Sequence, residues 1–249
     1  MSRSGQTLVP TFVACLVSAV VSAVHAGSWS ASKEPIEVMD GMDVPESAVF
    51  DPGSGLLFVA NIVGKGWETD EVGFISMSRP GEDLDILHWR QATPKARLSA
   101  PKGMCVLDGW LWVADITRVH KFRLNSRSAD TIEVPGSERM NDVATDGTAV
   151  FVSDTARGVI YRISPADGEV TEIPAVPSIN GITFHGRRLI AVSWDLHEIY
   201  EIDPTGRNAP RPFGLEAHFT ALDGVEVLED GSYVVSDFLG NKVCWVSAD

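Results

Sequence analysis

Apolar and polar positions along the chain follow one grammar that recurs five times. A polar residue opens an apolar stretch, and a Gly-containing turn follows. A second apolar stretch ends on a small residue and usually Asp, and a third stretch completes the unit. The first copy runs Pro45-Glu46-Ser47-Ala48-Val49-Phe50, turns at Asp51-Pro52-Gly53 and resumes as Leu56-Leu57-Phe58-Val59-Ala60-Asn61. The second opens at Pro101-Lys102-Gly103, turns at Asp108-Gly109 and ends Val113-Ala114-Asp115; the third opens at Met140-Asn141-Asp142 and ends Val152-Ser153-Asp154. The fourth opens at Ile179-Asn180-Gly181 and reaches Val192-Ser193-Trp194; the fifth opens at Leu222-Asp223-Gly224 and ends Val235-Ser236-Asp237.

Short β-branched runs bounded by Asp-Gly and Pro-Gly turns predict strands and hairpins, and no stretch after the leader described below sustains a helical period. Third strands are predicted at Gly73 to Ser78, Val119 to Leu124, Val159 to Ile163, Glu198 to Ile202 and Lys242 to Val246. Outer fourth strands fit Leu84 to Trp89, Thr131 to Val134 and Val170 to Ile173. Units of four strands repeating every ~40 residues predict an all-β fold, a β-propeller, with blades starting near Pro45, Pro101, Met140, Ile179 and Leu222. The long first interval holds Val63 to Val72, with Gly64, Gly66 and Trp67; it is too long for a tight hairpin and is expected to lie over one face of the ring.

The first 26 residues change the picture of where this domain works. Arg3 gives a positive start, Leu8 to Val24 is almost wholly apolar, and Val24-His25-Ala26 precedes Gly27 as a small-residue cleavage site. That pattern predicts a signal peptide over 1–26, a single propeller domain over 27–249, and a secreted or periplasmic protein. The apolar run is interrupted by Pro10, Ser18 and Ser22 and is short for a membrane span, so no stable membrane insertion is expected after cleavage. Of the three cysteines, Cys15 belongs to the leader, while Cys105 and Cys244 lie in apolar strands of different repeats and read as separate thiols. A formal charge of −14 argues against nucleic acid as a partner and suits a protein that handles hard cations, the alternative being a solvated acidic surface; the expected partner is a small-molecule substrate or ligand.

In a propeller the first strand of each blade is innermost, so its opening residues ring the channel mouth. Here they are Glu46, Lys102, Asn141, Asn180 and Asp223. Carboxylate and amide oxygens without His or Cys suit calcium, or another hard divalent cation, and do not suit zinc. The competing reading is that these residues cap turns. Lys102 must turn away from any divalent ion, towards Glu46 or an anionic part of a substrate. His218, in the loop before Asp223, is a candidate substrate-binding or acid-base residue, whereas His88, His120, His185 and His197 read as structural. A second column, Asn61, Asp115, Asp154 and Asp237, closes the second strands and reads as acceptors for backbone amides. No Gly-x-Ser-x-Gly elbow, phosphate-cradling loop or His-Glu-x-x-His helix is present.

Pro45-Glu46-Ser47, Asn141-Asp142, Asn180-Gly181 and Leu222-Asp223-Gly224 resemble the strand openings of the regucalcin/gluconolactonase family, whose relatives include the paraoxonases and diisopropylfluorophosphatase. The resemblance spans Pro45 to Val246. It implies a six-bladed ring, a calcium ion held by Glu46, Asn141, Asn180 and Asp223, and a role for Asp223 as base or nucleophile. The implied activity is calcium-dependent hydrolysis of lactone or related ester bonds; the alternative is a non-catalytic propeller that binds a small ligand or a protein. One departure stands out: only five openings occur. A truncated six-bladed ring is favoured over a closed five-bladed one, with Ile36 to Met39 completing either the last blade or a missing one. An open ring would expose edges for self-association.

Overall fold

The computed structural model describes residues 41–80 and 86–247. The predicted leader, Cys15, the strand at Ile36 to Met39 and the start of the strand at Leu84 lie outside the described residues. Nineteen strands assemble into five sheets, each wound in chain order from inside to outside. Blade 1 comprises β1 (Pro45–Asp51), β2 (Leu56–Asn61), β3 (Phe74–Ser78) and β4 (Ile86–Gln91). Blade 2 comprises β5 (Pro101–Leu107), β6 (Trp110–Asp115), β7 (Arg118–Arg123) and β8 (Ala129–Glu133). Blade 3 comprises β9 (Met140–Thr145), β10 (Val150–Asp154), β11 (Val159–Ile163) and β12 (Val170–Pro174). Blade 4 comprises β13 (Ile179–His185), β14 (Arg188–Ser193), β15 (Glu198–Ile202) and the two-residue β16 (Arg211–Pro212). Among the described residues blade 5 comprises β17 (Leu222–Val227), β18 (Tyr233–Asp237) and β19 (Lys242–Val246).

Every pairing within a blade is antiparallel, and the innermost strands pack in succession: β1 on β5, β5 on β9, β9 on β13, β13 on β17. This is a five-bladed propeller arrangement; the six-bladed ring implied by the resemblance is not what the described residues form.

The core lies between blades. Phe58, Ile75, Met104, Leu111 and Phe122 pack blade 1 on blade 2, and Trp112, Val143, Val150, Val152 and Tyr161 pack blade 2 on blade 3. Phe151, Ile160, Ile182 and Leu189 pack blade 3 on blade 4, and Ile190, Val192, Val225, Tyr233 and Val235 pack blade 4 on blade 5. A second strand covered on both faces needs apolar residues at consecutive positions rather than alternate ones. Accordingly β6, β10 and β14 are buried almost end to end.

β18 alternates instead. Tyr233, Val235 and Asp237 turn to blade 4, while Val234 and Ser236 are half-buried on the other face. Beside them on β19, Val243 and Trp245 are 51% and 56% exposed. β1, at the other end of the series, has no fully buried residue. Among the described residues the cysteines are free, Cys105 buried and Cys244 half-buried. Among the described residues no helix is long and apolar enough to cross a membrane.

Candidate functional site at the channel mouth

In each blade the pairing of first strand with second slips once, always near the start of the first strand. The slips fall between Pro45 and Ser47, Pro101 and Met104, Met140 and Val143, Ile179 and Ile182, and Leu222 and Val225. A bulge leaves a residue outside the ladder and re-aims its side chain. The residues so released include Glu46, Lys102, Asn141, Asn180 and Asp223, the predicted ring, followed in blades 2 to 5 by Gly103, Asp142, Gly181 and Gly224. Glu46, Asn141, Asn180 and Asp223 line one cavity of about 100 Å³, together with Asp142 and Glu226. Its other walls include Met104, Val143, Ile182 and Val225.

The bulges are laced to each other across blades. Ser47 Oγ donates to the Lys102 carbonyl at 2.6 Å, and Ser153 Oγ donates to the Asn180 carbonyl at 2.7 Å while accepting the Asp142 N–H at 2.9 Å. Within blade 5, Ser236 Oγ accepts the Gly224 N–H at 2.8 Å. Two glycines set how closely the inner strands approach. A Cβ on Gly103 would lie 2.1 Å from Asp142 Oδ1, and one on Gly181 would lie 2.6 Å from the Asp223 carbonyl oxygen. Neither space admits a side chain.

Within the cavity the carboxylates differ in how they are held. Asp142 accepts the N–H groups of Val143 and Ile182, both at 2.8 Å, and is fixed by them. Asp223 Oδ1 accepts the Asn180 amide at 2.8 Å. Glu226 meets Thr183 Oγ1 at 3.3 Å. Glu46 faces Lys102 Nζ at 3.7 Å. Burial pushes Glu46 up to about 7, Lys102 opposing the shift and Asp223 and Asp142 adding to it. Burial likewise carries Asp142 to about 7 against its two backbone donors, and Glu226 to about 7 against Thr183 and the Val227 N–H. Asp223 is raised as well, chiefly by burial, with Asn180 and Lys102 opposing. Four carboxylates thus share a small, poorly solvated space with one ammonium at its edge, and protons are held there more tightly than in water.

Such a donor set, oxygen only, has the chemistry of a hard-cation site. Among the described residues no three His, Cys, Asp or Glu side chains yet close on a single point, since two of the six oxygen-bearing residues are amides and the acids spread across the cavity. Lys102 stands against one of the four carboxylates, Glu46.

The remaining predicted residues fall elsewhere. Lys102 is 96% buried beside the cavity, its ammonium 4.2 Å from the Trp67 ring centroid in the long 62–73 loop, which therefore does lie over this end of the ring. His218 does not reach the channel mouth. It belongs to a separate outer cleft with Arg211, Phe213, Leu215, Phe219 and Trp245, and its carbonyl accepts Lys242 Nζ at 3.0 Å. The cause is Glu198, whose buried Oε2 accepts the N–H groups of Gly214 and Leu215 at 2.9 and 2.8 Å and ties the loop to the outside of blade 4. Among the described residues no histidine lines the channel-mouth cavity.

The second column behaves as backbone acceptors. Asp115 takes the N–H groups of Ser99 and Ala100, both at 2.8 Å, and Asp237 takes those of Thr220 and Ala221 at 3.0 and 2.9 Å. Asp154 takes those of Glu138, Arg139, Ala156 and Arg157, and Asn61 Oδ1 takes that of Asp43. Sequence reasoning missed Asp142 and Glu226. A carboxylate next to a bulge residue, and a lone Glu inside the apolar run of β17, were the signals for them.

No protein-family model matches the chain, and no curated protein matches it. Solved structures do. A catalytically inactive histidine-to-alanine variant of virginiamycin B lyase from Staphylococcus aureus, solved with quinupristin, superposes with a TM-score of 0.65 at 15% identity, covering 86% of this chain and 70% of that one. The WD40 β-propeller domain of Doa1 gives 0.61 at 13% identity, over 82% of this chain and 63% of that one. A streptogramin B lyase gives 0.57 at 11% identity, over 87% of each. At these identities the likeness shows the fold, a β-propeller, and nothing finer.

Proposed function

We propose that the channel mouth is a calcium-dependent hydrolytic centre for lactone or related ester bonds. The observation that carries this reading is the set of oxygen donors at register-equivalent bulges, which the fold leaves largely without backbone partners in one cavity of about 100 Å³. Glu46, Asn141, Asn180 and Asp223 would hold the ion, in line with the resemblance to the regucalcin/gluconolactonase family. When bound, the ion would neutralise the carboxylates and supply Lewis-acid polarisation of a substrate carbonyl.

The chain's own residues handle the proton. Asn180 pins Asp223 Oδ1 and leaves Oδ2 free to accept a proton from water. Burial raises the proton affinity of Asp223, which moves it towards the range where a general base works best. Asp142, fixed by two N–H groups, holds a second carboxylate in place and adds to the field. The signal-like leader puts this chemistry in a secreted or periplasmic setting, where calcium sites of ~10⁻⁴–10⁻³ M are sufficient.

Lys102 supports a second reading, a non-catalytic ligand-binding propeller, because it already supplies one cation to the ring. A panel of lactones and aryl esters, with calcium and with chelator, separates the two. Calcium-dependent turnover that falls ~10²–10⁴-fold in Asp223→Asn supports hydrolysis. Calcium binding with no turnover across the panel leaves the binding reading in its place.

A further inference from the structure

Two cations at the channel mouth have no full partner. Lys102 Nζ carries three donors, yet its one carboxylate, Glu46, stands at 3.7 Å, beyond a good charge-assisted hydrogen bond. The side chain is only 5% exposed, so water compensates little. Arg139 is exposed, and among the described residues no carboxylate lies within ion-pair distance of it. Both cations are drawn to one ring, that of Trp67. Lys102 Nζ is 4.2 Å and the Arg139 guanidinium 5.4 Å from its centroid, within the range of a cation–π contact.

Trp67 comes from the loop that leaves β2 and crosses to blade 2. That loop is pinned at its far end, where Gly73 donates to the Leu98 carbonyl at 3.1 Å and Glu71 pairs with Arg97 at 2.9 Å. At its near end it turns through Val63 and Gly64, both at positive φ. The 37% exposed ring thus caps an under-coordinated buried ammonium beside the cavity. If Glu46 turns to a bound cation, Lys102 keeps only the longer-range field of Asp223, and a negative group from outside the chain would complete its coordination. The acidic surroundings favour a monoanion over a more highly charged group.

We infer that Lys102 and Arg139, joined by Trp67, recognise a free carboxylate on the substrate, so that the centre acts on lactones and esters that keep a second, ionised acid group. This inference rests on the hydrolytic reading above for the word "substrate", but not for the anion site itself.

The test compares γ-butyrolactone with its γ-carboxylate in the full-length protein with calcium, in parallel with calorimetric binding of benzoate as a non-hydrolysable probe. The expected result is a preference of about tenfold or more in kcat/KM for the carboxylate, the scale of one added charge-assisted hydrogen bond. Lys102→Met, which keeps the buried stem, should abolish that preference and benzoate binding. Arg139→Gln, at an exposed site that tolerates change, should weaken both. Equal wild-type turnover of the two lactones, or a preference and benzoate affinity unchanged in both variants, overturns the inference. Lys102-dependent benzoate binding without turnover of either lactone upholds the anion site and overturns the hydrolytic reading. Neither binding nor turnover overturns both.

Discussion

Two columns of polar residues stand at the same end of the ring, one at the start of the first strands and one at the end of the second strands, and they obey opposite rules. Asp115, Asp154 and Asp237 are buried and saturated, each accepting at least two backbone N–H groups of the segment that leads into its own blade. Asp223 and Glu46, in the inner column, meet only side chains: an amide in one case and a distant ammonium in the other. A carboxylate given backbone donors is a structural latch, and one given few is left with free lone pairs in a poorly solvated place. The strand bulge makes the difference. It holds the inner side chains out of the ladder, whereas the outer column sits at strand ends whose neighbouring amides need acceptors.

If that contrast is right, the largest effect on stability comes from the outer column. Asp115→Ala strands the buried N–H groups of Ser99 and Ala100 and should cost about 3 kcal/mol or more, most of it desolvated donors left unpaired. Chemical denaturation would read this as a lower midpoint at unchanged slope. A loss below 1 kcal/mol would dissolve the distinction between latch and site.

Next in size is the close approach that brings the inner column together. Gly181→Ala places a Cβ within 2.6–2.9 Å of the Asp223 carbonyl, Gly224 Cα and Val225 N, and backbone cannot retreat cheaply. A cost of about 1–3 kcal/mol is expected, together with weaker cation binding because β13 and β17 are forced apart. Thermal unfolding and calcium titration of the same variant check both halves.

The pH dependence has a definite sign. Glu46, Asp142 and Glu226 hold protons up to about 7 in the folded chain, against about 4 for unfolded carboxylates. The folded state therefore binds more protons between those values, and calcium-free stability should fall as pH rises through that window. Neutralising one member tests this at small scale: Glu226→Gln should stabilise the calcium-free chain by about 1 kcal/mol at pH 8 and change nothing at pH 5. Melting curves at the two pH values separate that outcome from a uniform packing effect.

Much of this architecture is legible in the sequence because each blade repeats its turn chemistry. Asp-Gly and Pro-Gly turns mark the hairpins, and the polar residue before each apolar run marks the bulge, so Glu46, Asn141, Asn180 and Asp223 can be placed in one ring. Other features resist reading for physical reasons. A bulge sets aside the two-residue alternation, which hides Asp142 directly after Asn141. β18 has the same apolar wording as β14, and only packing distinguishes a strand covered on both faces from one covered on one. His218 looks close to Asp223 in the chain, but Glu198, twenty residues upstream, pulls the segment that leads into His218 outwards. The pairing of Trp67 with Lys102 and Arg139 joins three different blades and leaves no local signature.

The most direct test of the inner column as a cation site is calorimetric titration of calcium into the full-length protein at pH 7.5 and pH 5.5. Competition between protons and the ion for the same carboxylates predicts one site at pH 7.5, at least about tenfold weaker at pH 5.5, and moderately weakened at both in Asp223→Asn, which keeps an oxygen ligand. No heat at pH 7.5, or an affinity indifferent to pH and to Asp223, would contradict it.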